Sequence, residues 1–257
     1  MMRRAALALA ILCIGAVPTA AERLVISLSN ARVGVTSSFT GEDLVLFGTI
    51  EPDQVKTLLP SGYDLVVTVS GPPESTRTRR KARVLGIWVN VDTREFVNVP
   101  SYLAILSNRP VAAIASQQVL RRQQIGLAYT LLRQRIGPDT ADTVTNDPFR
   151  MSFVRLKEQQ HLYREAPEGV TFLTPTVFRA AIPLPANAPN GTYAIDVKLF
   201  ARGALLARAG SALEVIKTGF EQYVADRAQH DGLLYGLGTT AMALAIGWLA
   251  SVVFRRD

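Results

Sequence analysis

Two hydrophobic periods divide this chain. Leu24, Ile26 and Leu28 alternate with Val25, Ser27 and Ser29, Leu65, Val67 and Val69 with Val66, Thr68 and Ser70, and Tyr193, Ile195, Val197 and Leu199 with Ala194, Asp196 and Lys198. A period of two places one set of side chains on one face of a pleated strand, so each run predicts a strand with one face in a core. Residues 44–50 and 84–89 are apolar on both faces and predict more central strands. Phe178, Ala180 and Ile182, then Leu213 and Val215, supply two more. Turn residues separate these runs: Thr40-Gly41-Glu42-Asp43, Pro60-Ser61-Gly62, Gly71-Pro72-Pro73 and Pro189-Asn190-Gly191. About seven short strands so punctuated predict a mainly β fold, an immunoglobulin-like β-sandwich. In "IPLPANAPNGTYAIDVKLF" a proline-rich crossing and a glycine turn lead into an alternating strand headed by Tyr193, the place of a tyrosine corner.

Between 101 and 165 the period shifts toward helical spacing. Asn108 with Pro110 reads as an N-cap with an early-turn proline and predicts a helix to about Arg135; Asp147 with Pro148 predicts a second to about Arg164. Val111, Ile114, Ile125, Tyr129, Leu132 and Ile136 share a face of the first, interrupted by Gln118 and Arg122. The reading is a helical insertion, 101–165, between the two parts of one sandwich, 22–100 and 166–216. The alternative is two all-β lobes flanking a small helical domain.

The ends follow other rules. Residues 1–21 combine a positive start, thirteen apolar residues from Ala5 to Val17 and small residues at Thr19-Ala20-Ala21, the pattern of a signal peptide. Leu233 to Phe254 carries no charge over twenty-two residues, about 33 Å of helix against a hydrocarbon core of roughly 30 Å. A transmembrane helix over 233–254 is expected, with 217–232 as a stiff juxtamembrane helix. Arg255 and Arg256 then mark 255–257 as a cytoplasmic tail. The expected topology is a single pass through the bacterial inner membrane with the N-terminal domain in the periplasm.

This address changes how composition is read. Cys13, the only cysteine, lies in the signal segment, so the exported part has no thiol for disulfides, redox chemistry, nucleophilic catalysis or thiolate metal sites. The whole chain has 28 basic and 21 acidic residues; without Arg3, Arg4, Arg255, Arg256 and Asp257 the balance is 24 to 20. That mild excess outside the inner membrane gives no reason to expect a nucleic-acid partner.

Candidate chemistry is sparse. Glu158 and His161 have the Glu-x-x-His spacing of carboxylate-bridged metal bundles, but such sites need two copies and further glutamates, so no metal is expected. His230 has no ligand set beside it. No nucleophile elbow, phosphate loop or zinc signature is present, and neither catalytic residues nor a cofactor are expected. The run "RTRRKAR" places Arg77, Arg79, Arg80, Lys81 and Arg83 between two strand candidates. It suits anionic lipid headgroups, an acidic partner or an anionic solute; charge runs are more often solvated loops that keep a strand edge from pairing. In the apolar C-terminal run Thr239, Ala243, Gly247 and Ser251 recur every fourth residue, a small-residue ridge for a membrane-protein partner or self-association, with Gly232 and Gly236 just above.

With "SNARVGVTSSFTGEDLVLFGTI", "NGTYAIDVKLF" and "GFEQYVADRAQHDGLLYGLGTTAMALAIGWLASVVFRR" in view, the chain resembles the alphaproteobacterial "putative transmembrane protein" family over nearly its whole mature length. The resemblance implies a signal peptide, an exported region and one C-terminal helix, and it implies no activity or functional residues. Members tend to stand beside sulfite exporter-type permeases, which implies a transport partner. The expected protein is a membrane-anchored periplasmic binding protein, an accessory subunit of an inner-membrane anion exporter. The alternatives are a tethered solute-binding module and an envelope-assembly scaffold.

Overall fold

A computed structural model of the protein describes residues 22–36, 38–51, 62–218 and 232–253; side chains at 217, 233–235 and 252–253 are outside that description. The signal peptide, most of the juxtamembrane segment and the C-terminal tail lie outside the described residues. The elements in order are β1 Arg23–Leu28, β2 Arg32–Val35, β3 Gly41–Glu51, β4 Asp64–Ser70, β5 Pro73–Val84, β6 Ile87–Pro100, β7 Leu103–Ser107, α1 Val111–Ile114 and α2 Gln117–Gln123. There follow β8 Arg133–Ile136, β9 Asp139–Asp142, α3 Pro148–Gln159, β10 Tyr163–Ala166, β11 Val170–Phe172, β12 Val177–Pro185, β13 Gly191–Ala201, β14 Ala204–Lys217 and α4 Gly232–Val253.

The protein is mainly β, with three sheets among the described residues. One has the order β1-β3-β12-β11, a second β10-β7-β4-β13-β14-β2, and the third β5-β6-β8-β9. The alternating runs form the first two, because burying one face of a strand requires a second apolar layer to meet it. Leu44, Leu46, Phe178, Ala180 and Ile182 from the four-stranded sheet join Leu65, Val67, Val69, Ile195, Val197, Leu199, Leu213 and Val215 from the six-stranded sheet in one buried cluster. Opposite Phe178 of β12, glycine is needed on β3: a Cβ on Gly48 would lie 2.3 Å from the buried Phe178 ring. Tyr193 heads β13 and donates from its hydroxyl to the Pro189 carbonyl at 2.6 Å, tying the crossing to the strand as its sequence setting predicts.

The region 101–165 is less helical than its period predicts. Leu103–Ser107 and Tyr163–Ala166 are strands of the six-stranded sheet, paired in parallel with each other. In place of one long helix to Arg135 there are α1 and α2, followed by the β8–β9 hairpin. Ser116 caps α2, Gln124 turns left-handed at φ 53, and Gly126 at φ 104 takes a conformation open to glycine and costly to other residues. Asn108 does not cap a helix; its side chain accepts from the Leu65 N–H at 2.9 Å. The second helix opens as expected, with the Asp147 carboxylate accepting from the Phe149 and Arg150 N–H groups. It stops at Gln159, because His161 turns left-handed at φ 59 and Leu162 N–H reaches back to the Lys157 carbonyl.

Residues 84–89 are not a central strand either. They are the end of a hairpin, β5 and β6, that carries the basic run on a strand and not on a loop. Apolarity on both faces is satisfied in a central strand by neighbours on both sides; here the same composition surrounds a turn.

Candidate functional site

The hairpin is anchored at its base and free at its end. Near the base, Phe96 is wholly buried and its ring lies 4.7 Å from that of Phe153 on α3. Lys157 of α3 donates to Glu74 on β5 at 2.5 Å. Arg94 bonds Asp147 and Gln134 and lies over the Phe149 ring at 4.8 Å. A buried Arg150 holds the surrounding loops: it donates to the carbonyls of Leu127, Ala128 and Thr130 and to the Thr143 hydroxyl. Desolvation lowers its pKa, but four oxygen partners keep a guanidinium satisfied where an unpaired charge would not survive.

Beyond Phe96 and Val97, where β8 pairs with β6, no further strand among the described residues pairs with the two. All five expected anion-contact residues, Arg77, Arg79, Arg80, Lys81 and Arg83, are exposed on β5. Arg77 lies 3.9 Å from Glu95, which also meets Arg135 at 3.3 Å, so the proximal end of the run is partly neutralised. Arg83 donates to the Gly86 carbonyl across the turn. Directly paired residues share a face of a ribbon, so Arg83 with Trp88 and Lys81 with Asn90 lie on one face, and Val84 with Ile87 and Ala82 with Val89 on the other. The apolar residues at this end are what a sequence reading misses, although the glycine at 86 is the signal for a turn.

Helix α4 carries the expected ridge Thr239, Ala243, Gly247 and Ser251, all exposed, with no atom of the described chain within 4 Å of where a Cβ on Gly247 would stand. The Thr239 hydroxyl donates to the Gly236 carbonyl at 3.0 Å, which satisfies it inside its own helix. Among the described residues no helix is long and apolar enough to cross a membrane. The α4 backbone runs 22 residues, but its continuous described side chains cover 236–251, about 24 Å at 1.5 Å per residue.

Glu158 and His161 come together in a third place, a cleft of about 590 Å³ that also includes Tyr102, Tyr163, Arg164 and Glu165. Its two tyrosines are committed to structure: Tyr102 donates to the Pro183 carbonyl and Tyr163 to that of Pro100. Burial raises both phenols above the ordinary tyrosine range, so neither is suited to proton transfer near neutral pH. Among the described residues no group of His, Cys, Asp and Glu is arranged to hold a metal.

An apolar-ended basic arm and an uncharged helix with an open ridge are thus the two surfaces not explained by the core. No curated protein matches the chain. A family model does, over residues 23–256, and the chain belongs to that family, described as "Putative transmembrane protein (Alph_Pro_TM)".

Proposed function

We propose that the protein is a non-enzymatic binding protein, an immunoglobulin-like sandwich exported to the periplasm and held in the bacterial inner membrane by α4. In this reading it serves as an accessory subunit of an anion exporter of the sulfite type. The observation that carries the proposal is the uncharged run of the sequence, 22 residues from 233 to 254, in which small residues of α4 recur at every fourth position with none of the described chain against them. Lipid alone does not call for such a ridge, whereas close approach of a second helix does. The family description as transmembrane supports the anchor, and the exported position supports binding on the outer side.

Purification in mild detergent through a tag on the folded domain tests this. Recovery of a membrane permease from the native membrane, lost on Gly247→Leu, supports the subunit. Recovery of the chain alone, unchanged by that substitution, removes the basis for it. A tethered solute-binding module predicts instead that release of residues 22–229 preserves function in a deletion strain. A self-associating scaffold predicts crosslinked copies through Thr239, Ala243, Gly247 and Ser251.

A further inference from the structure

The end of the β5–β6 hairpin is built against the usual economy of a β-turn. Its two central residues, Leu85 and Gly86, both have positive φ, 49 and 88, as a two-residue turn matched to strand twist requires. Glycine, asparagine and aspartate suit the first of these positions; leucine is strained there and gains nothing from the fold, since Leu85 is 100% exposed. Ile87 at 65% and Trp88 at 70% stand beside it, with Val84 also exposed. Four large apolar side chains thus crowd the turn, Val84 and Ile87 on one face of the ribbon and Trp88 on the other, where among the described residues no third strand pairs beyond β8. Two-stranded ribbons are marginal in water, and solvent is a poor environment for this one.

Charge decides what covers it. From Arg79 to Thr93 the arm carries four cations, Arg79, Arg80, Lys81 and Arg83, against the single acid Asp92. At about 3.3 Å per residue, the apolar positions reach from Leu85 back to Ala82 and Val89 over about 10 Å; Arg83 flanks them at about 7 Å from the tip, and Lys81, Arg80 and Arg79 continue for about another 10 Å. An apolar depth of about 5–10 Å backed by lysine and arginine, with a tryptophan between, is the layering of an anionic bilayer surface: acyl boundary, interface, phosphate. A protein partner would need a socket for a narrow convex tip as well as an acidic rim; a lipid surface needs only depth and charge.

We infer that the hairpin end, Val84, Leu85, Ile87 and Trp88, inserts into the interface of an anionic phospholipid surface, with Arg79, Arg80, Lys81 and Arg83 on the headgroup phosphates. It is a second membrane contact, separate from α4 and from any permease. The chain has two tryptophans, so Trp248→Phe leaves Trp88 as the sole reporter. Full-length protein carrying that substitution is reconstituted into vesicles of phosphatidylcholine alone, or of an equal mixture with phosphatidylglycerol. In the anionic vesicles Trp88 emission shifts to the blue, brominated acyl chains quench it and acrylamide does not; high salt reverses all three. Glutamine at the cations weakens the response about fivefold per residue removed. Leu85→Asp with Ile87→Asp abolishes it while leaving the melting temperature unchanged, because neither side chain is buried.

Equal access of acrylamide to Trp88 in both vesicle types overturns the inference, as does protection seen only in native membranes, which would assign the tip to a protein. Equal insertion into neutral and anionic vesicles removes the role of the cations. Flotation separates this from the anchor: a chain that floats with neutral vesicles while Trp88 stays in water keeps α4 and loses the hairpin, and a chain that floats only with anionic vesicles does the reverse.

Discussion

Strand β4 and the end of the β5–β6 hairpin are built from similar side chains and meet opposite fates. In "DLVVTV" every side chain but Thr68 is buried, with β13 on one side, β7 on the other and the second sheet across the core. In "VLGIWV" the only strand pairing among the described residues is that of β5 with β6. Apolar sequence therefore states a demand for burial, and topology decides whether the same chain supplies it. Where it does not, the demand points outward.

That contrast can be broken or sharpened by substitution. The largest effect is expected from Arg150→Met, on the protected side: the buried Leu127 carbonyl and the partly buried carbonyls of Ala128 and Thr130 lose their donor, costing about 3 kcal/mol, measured as a fall in the denaturation midpoint. Gly48→Ala drives a Cβ into the buried Phe178 ring and costs about 1–3 kcal/mol in the same measurement. Tyr193→Phe leaves the Pro189 carbonyl without its partner, for about 1–2 kcal/mol. Asp196 gives a pH test. Burial alone would raise its pKa, but hydrogen bonds from Arg208 and Lys198 outweigh it and hold the carboxyl below the usual range. A depressed pKa means stability present above the unfolded value near pH 4 and lost as pH falls through the folded one; thermal scans should show that acid loss shrinking in Asp196→Asn. Smallest is Leu85→Asn on the arm: within about 0.5 kcal/mol, with a slight gain, since asparagine accepts positive φ more readily. A large loss there would mean the tip is packed after all.

Much of the core was legible because its period is clean. The strands around Leu24, Leu65, Phe178, Tyr193 and Leu213 are where alternation puts them, and Tyr193 makes the bond its setting predicts. The Asp147–Pro148 start of α3 was legible for the same local reason: a cap is a property of three or four adjacent residues. What could not be read depends on distant partners. Edge strands Arg32–Val35 and Tyr163–Ala166 are four residues long, too short to display a period, and exist through parallel pairing with β14 and β7. Nothing local marks Arg150 as an interior arginine. The apolar run at 84–89 read as central because burial on two faces and exposure on two faces give one composition, and only the fold tells them apart. For the candidate surfaces, the basic run and the helix ridge were visible in the sequence. The leucine, isoleucine and tryptophan that give the arm its end were visible as letters but not as a point.

One pairing has a consequence in time. β2 lies beside the last residues of β14, Arg32 against Glu214 and Val35 against Lys217. An edge formed by β2 is closed by residues of β14, the last strand among those described, so the six-stranded sheet cannot be completed until that segment is synthesised. Pairings of such long sequence separation are slow, commonly milliseconds to seconds, because loop closure is paid for before contacts reward it. The β5–β6 hairpin, local and joined by two residues, forms in about 1–10 microseconds. The arm with its apolar end is therefore ready while the body that carries it is still open.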